Sequence, residues 1–463
     1  MFKVAAAPRS LLAKARERVG KRQSIALILL IFLSGCGEDP SLGTPGFVEG
    51  FAGGVVADEP QAALVGQDVL SAGGLAGDAA AAVFFSLAAT KPATAGLMAS
   101  GHCVAFDPDE YRHTGYRFAP PAGSRAMAAI HARFGVLPWR QVVGPAESLA
   151  RFGFRLSKAF VADWQAANVD NEAVHRIYGG SPAIGQEVEN LDLAGLLGQM
   201  RINGAGAFYT GLAAQRMWTV LESEGLSVDR DAWRNAVPQT ADSTLLPFGN
   251  HELAVPPFEG SAGSVLAGIW PAVEEDDPSS VPQRLAEQGV SASAEGLAET
   301  AFVAVDRLGG SVACVLSLGE PFGLGRLVNG VFLAEPSPPS TAPVLLTNRP
   351  TNVLLASIAG TNAPGMPAAM VMSAFRGPFQ EQESLENLVT APRILPAGDS
   401  RFLAEPGADI PGDIPAGTVE RAEGLGRVSG IVCARGLPNY AESCTAAADP
   451  RGHGFAALAD VPR

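Results

Sequence analysis

The sequence predicts an α+β fold in which stacked sheets are covered by helices. Three observations predict it. The chain has 463 residues, 47% of them apolar and only 17% charged, which is enough to bury a large core. Its N-terminal half is Ala-rich, with apolar residues at helical spacing, and its C-terminal half opens with short β-rich runs behind a polar break. Helices and strands therefore come in blocks, which argues against alternating βαβ units. Its 53 glycines and 35 prolines follow no collagen-like period, and nothing repeats every 20 to 50 residues, so fibrous, disordered and solenoid architectures are excluded.

The N-terminus reads as an address. Lys21 and Arg22 precede a nine-residue apolar run at 25–33. As a helix that run spans about 14 Å, short of the roughly 30 Å bilayer core, so it is the apolar segment of an export signal over 1–35. The run ends in Leu33-Ser34-Gly35-Cys36, which resembles the bacterial lipobox. On that reading Cys36 takes the lipid, residues 36–50 form a flexible tether, and the protein sits on the cell envelope, at its periplasmic or outer-membrane face. The alternative is an ordinary thiol behind an ordinary signal peptide.

Along the mature chain, residues 69–77 lead to Asp78, placed as a helix-start acid for the all-apolar run 79–89, a buried helix. A strand follows at 103–106, then helices at 124–134 and 142–152, the latter ending at Gly153, and helical pattern at 191–201 and 205–221. Residues 271–294 are polar, acidic and proline-containing and read as a linker or exposed loop. Strand patterns then occupy 302–305, 312–318, 328–333, 344–347 and 353–358, and helix returns at 367–375 and 383–388.

Export places the remaining cysteines in an oxidising compartment. Cys433 and Cys444 lie eleven apart across Leu437-Pro438-Asn439, a spacing that permits a local disulfide, while Cys103 and Cys314 sit in apolar runs and read as buried thiols. The net charge is −14, and residues 1–35 alone carry about +6, so the rest stands near −20 and repels nucleic acid. The six histidines are scattered and no C-x-x-C, H-E-x-x-H or EF-hand pattern occurs, so neither a metal nor another cofactor is expected.

Residues 69–82, VLSAGGLAGDAAAA, and 91–102, KPATAGLMASGH, resemble the γ-glutamyltranspeptidase patterns V-L-x-x-G-G-N-A-x-D-A-A and E-P-x-x-x-G-x-G-G-G-G-F. Further agreements follow in the family's order, among them Leu137-Pro138-Trp139, Leu191-Asp192-Leu193-Ala194, Pro256-Pro257, Asp306 with Gly309, Pro321-Phe322-Gly323, Ala391-Pro392-Arg393 and Asp449-Pro450-Arg451-Gly452. The resemblance implies a four-layer αββα sandwich of the N-terminal-nucleophile hydrolases. It divides the chain into a large-subunit-like region (51–270), a shortened linker (271–298) and a small-subunit-like region (299–463). In the family a precursor cuts itself to free a threonine, whose hydroxyl is the nucleophile and whose α-amine is the base.

The family's cleavage strand begins T-T-H-x-S-V-V-D. Counted back from Asp306, the matching segment is Glu299-Thr300-Ala301-Phe302-Val303-Ala304-Val305-Asp306. A carboxylate cannot perform the N-to-O acyl shift, and Thr300, the candidate nucleophile, is one residue out of register, which turns its side chain to the other face; otherwise it is an ordinary strand residue. Arg117 resembles the arginine that grips the substrate carboxylate, or is a surface arginine. Ser340, with Thr341 beside it, stands near the family's paired serines, and Gly360 opens the segment matching its oxyanion loop. The loop that contacts the substrate amine is here Ala334-Glu335-Pro336-Ser337-Pro338-Pro339. Two functions stay open: γ-glutamyl transfer or hydrolysis on glutathione-like peptides, or an inactive homologue serving as a binding or assembly lipoprotein. The expected partners are the membrane, through Cys36, and a γ-glutamyl peptide.

Overall fold

The computed structural model describes residues 50–461 apart from 168–171, 224, 275–277, 293–297, 377–383 and 413. The expected signal peptide, Cys36 and the tether up to residue 49 lie outside the described residues.

The strands of the two main sheets are, in chain order, β1 (Gly50–Ala57), β2 (Ser100–Asp107), β3 (Arg112–Phe118), β4 (Gln239–Asp242), β5 (Thr244–Phe248), β6 (His251–Val255), β7 (Glu299–Asp306), β8 (Ser311–Ser317), β9 (Val344–Asn348), β10 (Val353–Thr361), β11 (Arg427–Leu437), β12 (Cys444–Ala447) and β13 (Phe455–Val461). The first sheet runs β13-β1-β7-β8-β2-β3-β4 and the second β12-β11-β10-β9-β6-β5, antiparallel throughout. Between them lies an apolar layer that includes Val104, Ala301, Val303, Val305, Leu345 and Ile431. Helices α1 (Pro60–Ser71), α2 (Ala76–Thr90), α3 (Gly123–Phe134), α4 (Trp139–Phe152), α5 (Leu191–Asn203) and α6 (Gly211–Ser223) bury the outer face of the first sheet. The second is covered by α7 (Ala262–Val273), α8 (Val281–Glu287), α9 (Met366–Arg376) and α10 (Leu385–Thr390). This is the αββα sandwich.

Every residue of α2 is buried, as an all-apolar helix requires. Asp78 does more than start it: its carboxylate accepts from the amides of Leu75 and Val136, both at 2.9 Å, and contacts His131 Nδ1 at 2.8 Å, tying α2 to the end of α3. Gly77 lets that junction close, because a Cβ there would meet the Phe134 backbone at 2.6 Å.

Three expectations are corrected. The 271–298 stretch is not simply a linker: α7 continues through Pro271 to Val273, and α8 buries Val281, Leu285 and Ala286, whose i, i+4, i+5 spacing gives it an apolar stripe inside a polar sequence. Cys103 and Cys314 are not free thiols but a disulfide, for they are directly paired across β2 and β8. The 205–221 pattern is broken into a 3₁₀ turn (Ala205–Phe208) and α6, with Gly211 in the left-handed region at φ 75°. Cys433 and Cys444 are bonded, facing each other across β11 and β12.

Candidate functional site

The site forms where β7 begins. Side chains of a strand alternate between faces, and on β7 Ala301, Val303 and Val305 enter the layer between the sheets while Phe302 and Ala304 pack towards the helices. Glu299 therefore faces the gap between the sheets and Thr300 faces the helical layer. Across the sheet Glu299 is opposite Ser317, which is opposite Ser100.

Glu299 is fully buried, and its carboxylate is held by the second sheet's loops. The Ser340 amide donates to one oxygen at 2.5 Å; the Asn362 amide, at 2.8 Å, and the Ser340 hydroxyl, at 3.0 Å, donate to the other. Asn362 reaches this position with φ 52°, a left-handed conformation that asparagine tolerates better than most residues. Burial pushes the Glu299 carboxyl above its ordinary pKa, against the pull of these donors and of Arg427. Thr341 supports the same loop: its Oγ1 accepts from the Ala363 amide at 2.9 Å.

Behind Glu299, Arg427 donates to Thr361 Oγ1 at 3.1 Å and to the Glu299 carbonyl at 3.5 Å. Its Nη1 is 4.0 Å from Asp163, which also pairs with the buried ammonium of Lys91. Arg427 is set in place by its neighbour: the Val428 amide donates to Asp449 at 2.9 Å, and Asp449 pairs with buried Arg393 at 2.5 Å and with Arg451 at 3.2 Å. The tripeptides at 391–393 and 449–451 thus meet in one ionic cluster under the site.

Thr300 is buried on the opposite face, its hydroxyl 3.4 Å from Asp58 Oδ2. The same oxygen accepts from the Ala301 amide at 2.9 Å. Asp58 stands where β1 turns into α1, so its carboxylate takes over the ladder at that point.

Arg117 lines a cavity of about 290 Å³ with Ser100, His102, Gln239, Ser337 and Pro338. Its Nε donates to Gln239 at 2.8 Å, its Nη1 to the Glu259 carbonyl at 3.0 Å, and its guanidinium lies 5.0 Å from the Phe258 ring centroid. A second cleft of about 260 Å³, mostly apolar, opens on the other side of Pro338 and reaches Ser340.

Of the residues singled out in the sequence, Ser340 meets Glu299, Thr341 braces the loop, and Arg117 walls the adjoining cavity. Gly360 pairs with Val428 within the β10–β11 ladder, where a Cβ would come within 2.7 Å of the Arg427 carbonyl. Sequence reasoning missed Asn362, Arg427, Asp58 and His102. Asn362 and His102 lay inside segments already marked; Arg427 and Asp58 act through contacts with distant residues and carry no local signal. Among the described residues no group of three or more His, Cys, Asp or Glu is placed to hold a metal ion.

The family model for gamma-glutamyltranspeptidase matches residues 106–277. Glutathione hydrolase 2 of Arabidopsis thaliana is 25% identical over 234 residues, 44% of this chain and 40% of that protein. The glutathione hydrolase proenzyme of Pseudomonas aeruginosa is 27% identical over 256 residues, 47% of this chain and 45% of that protein. The matched region thus spans less than half the length of these relatives. Among solved structures, a cephalosporin acylase from Bacillus halodurans shares the fold with a TM-score of 0.72 and 15% identity, covering 92% of this chain and 99% of its own.

Proposed function

We infer that the chain is a divergent member of the γ-glutamyltranspeptidase family, and from that premise that it works on γ-glutamyl amides of the glutathione class, as a lipoprotein held to the cell envelope by Cys36. The curated relatives support the ligand class, and the lipobox-like Leu33-Ser34-Gly35-Cys36 supports the anchor. The observation that carries the site is the convergence of the Ser340 and Asn362 amides on the start of β7, beside the Arg117 cavity. The two backbone N–H groups hold one carboxylate, one to each oxygen, and so form an anion-binding pair where an amide carbonyl of a ligand would develop charge.

A second reading, binding without cleavage, is favoured by one observation: those two amides are already spent on the Glu299 carboxylate. Glutamate has neither the hydroxyl nor, in an uncut chain, the free amine that this chemistry needs. Thr300 faces away from the cleft. On this second reading the wild-type protein binds glutathione without releasing glutamate, and Glu299→Thr recovers chain cleavage before residue 299 together with glutamate release. The test is calorimetric binding and glutamate assay on both proteins. Glutamate release by the wild type would reject the binding-only reading, and the absence of both binding and release would reject both.

A further inference from the structure

The residue in place of the family pattern's terminal phenylalanine, in the segment 91–102, is His102. It belongs to β2, on the face that carries Ser100 and Val104 towards the gap between the sheets, and it lines the 290 Å³ cavity. The side chain is 1% exposed and its Nδ1 has no hydrogen-bond partner among the described residues. A buried imidazole nitrogen without a partner forfeits the hydrogen bond it would make in water, so the arrangement is costly unless something enters the cavity. Its ring stacks on Phe258 with centroids 6.2 Å apart, and Arg117, directly paired with it across β2 and β3, lies over the same Phe258 ring. The two residues are therefore braced by one aromatic ring and line one cavity, whose remaining polar walls are Ser100, Ser337 and Gln239.

We propose that His102 is the second half of a carboxylate clamp with Arg117, and that the cavity takes an organic carboxylate together with a proton. The inference rests on the reading that this cleft binds a ligand, and it adds which group of the ligand is held and under what condition. Arg117 supplies a permanent charge. His102 is held neutral in the empty cavity, because burial and the Arg117 charge push it down to about 4. A carboxylate placed between them offsets the Arg117 charge and accepts a hydrogen bond from the imidazolium, so His102 takes a proton from solvent as the anion binds. Arg117 is the charged group that acts on His102 from the neighbouring strand; Glu259 reaches Arg117 through its backbone carbonyl.

The sign follows. Bound His102 has the higher pKa, so affinity is greatest at low pH and falls as pH rises, by at most about tenfold per unit between the free and bound values. The experiment titrates the folded protein with glutathione and with N-acetylglutamate, which offers carboxylates but no γ-amide to cut. Binding is measured between pH 5.5 and 7.5 in two buffers of different ionisation heat, for the wild type, His102→Phe and His102→Gln, with melting temperatures to confirm folding. The expected result is proton uptake and pH-dependent affinity in the wild type, and in both variants weaker binding, no uptake beyond the ligand's own and a flat profile with glutathione. N-acetylglutamate bound with His102-dependent uptake, while glutathione is neither bound nor cut, would uphold the clamp and reject the γ-glutamyl reading. Glutathione bound or cut equally by wild type and His102→Phe would uphold that reading and overturn the clamp. No binding of either probe would overturn both.

Discussion

Glu299 and Thr300 are neighbours on one strand, yet the pleat sends them into different layers, and substitution at each has a different consequence. Removing the Thr300 hydroxyl ends one long contact with Asp58, which keeps its bond to the Ala301 amide. Thr300→Ala is therefore expected to cost no more than about 1 kcal/mol and to leave the intact mass of the chain unchanged apart from the substitution. Glu299→Ala removes the shared acceptor of two half-buried amides and of the Ser340 hydroxyl, which keeps its contact with Thr341. Three hydrogen bonds to one buried carboxyl are lost, each worth roughly 1 kcal/mol, so this variant should unfold at clearly lower urea than Thr300→Ala, and millimolar acetate, entering in place of the lost carboxylate, should restore part of the difference. A Thr300→Ala protein that loses a processing step would instead make Thr300 the nucleophile and require β7 to be re-aimed.

At the scale of elements, what the sequence made legible was whatever depends on local pattern. The core of β7, the Ala-rich α2, the C-terminal stop of α4 at Gly153 and the strands around 312–317 and 344–347 all follow from periodicity and turn residues. What was not legible depends on partners far along the chain. The α8 stripe is short and surrounded by acids; β4, β5 and β6 carry mixed patterns; the pairing of Cys103 with Cys314 is a matter of register between strands 211 residues apart. The candidate site divides the same way, since Ser340 and Arg117 sit in recognisable motifs whereas Arg427 reaches Glu299 only through the fold. The turn from β7 to β8 shows how a motif residue acts at this scale. Asp306 accepts from the amides of Leu308, Gly310 and Ala76, so one carboxylate closes the turn and fixes the start of α2. Gly309 makes the turn possible at φ 87°. Burial outweighs these donors and pushes Asp306 up to about 6. A carboxyl raised on folding contributes stability that is present below its unfolded value and lost as pH rises through the folded one. Urea midpoints between pH 4 and 7.5 should therefore fall more steeply for the wild type than for Asp306→Asn, the difference reaching at most roughly 3 kcal/mol. Parallel curves would show that the three amides keep the carboxylate charged.

Across the whole molecule, the large-subunit-like and small-subunit-like regions are not separable bodies. The first sheet takes β1 to β4 from the former and β7, β8 and β13 from the latter, with β7 lying between β1 and β8. The Cys103–Cys314 disulfide joins the two regions covalently inside this sheet. A chain cut between Glu299 and Thr300 would thus remain one species under denaturing conditions until reduced, and a single mass without reductant says nothing about processing. The decisive comparison is intact mass with and without reductant: we expect one chain in both, differing by the hydrogens gained at the disulfides, whereas two fragments appearing only on reduction, the smaller beginning at Thr300, would establish cleavage. The same topology ranks the two bridges. By the chain-entropy argument a loop closed over 211 residues restricts the unfolded chain by roughly 5 kcal/mol, and one closed over 11 residues by roughly 3 kcal/mol. Replacing Cys103 and Cys314 with alanine should accordingly lower the unfolding midpoint more than replacing Cys433 and Cys444, and the reverse order would mean that the unfolded chain keeps β2 and β8 close without the bond.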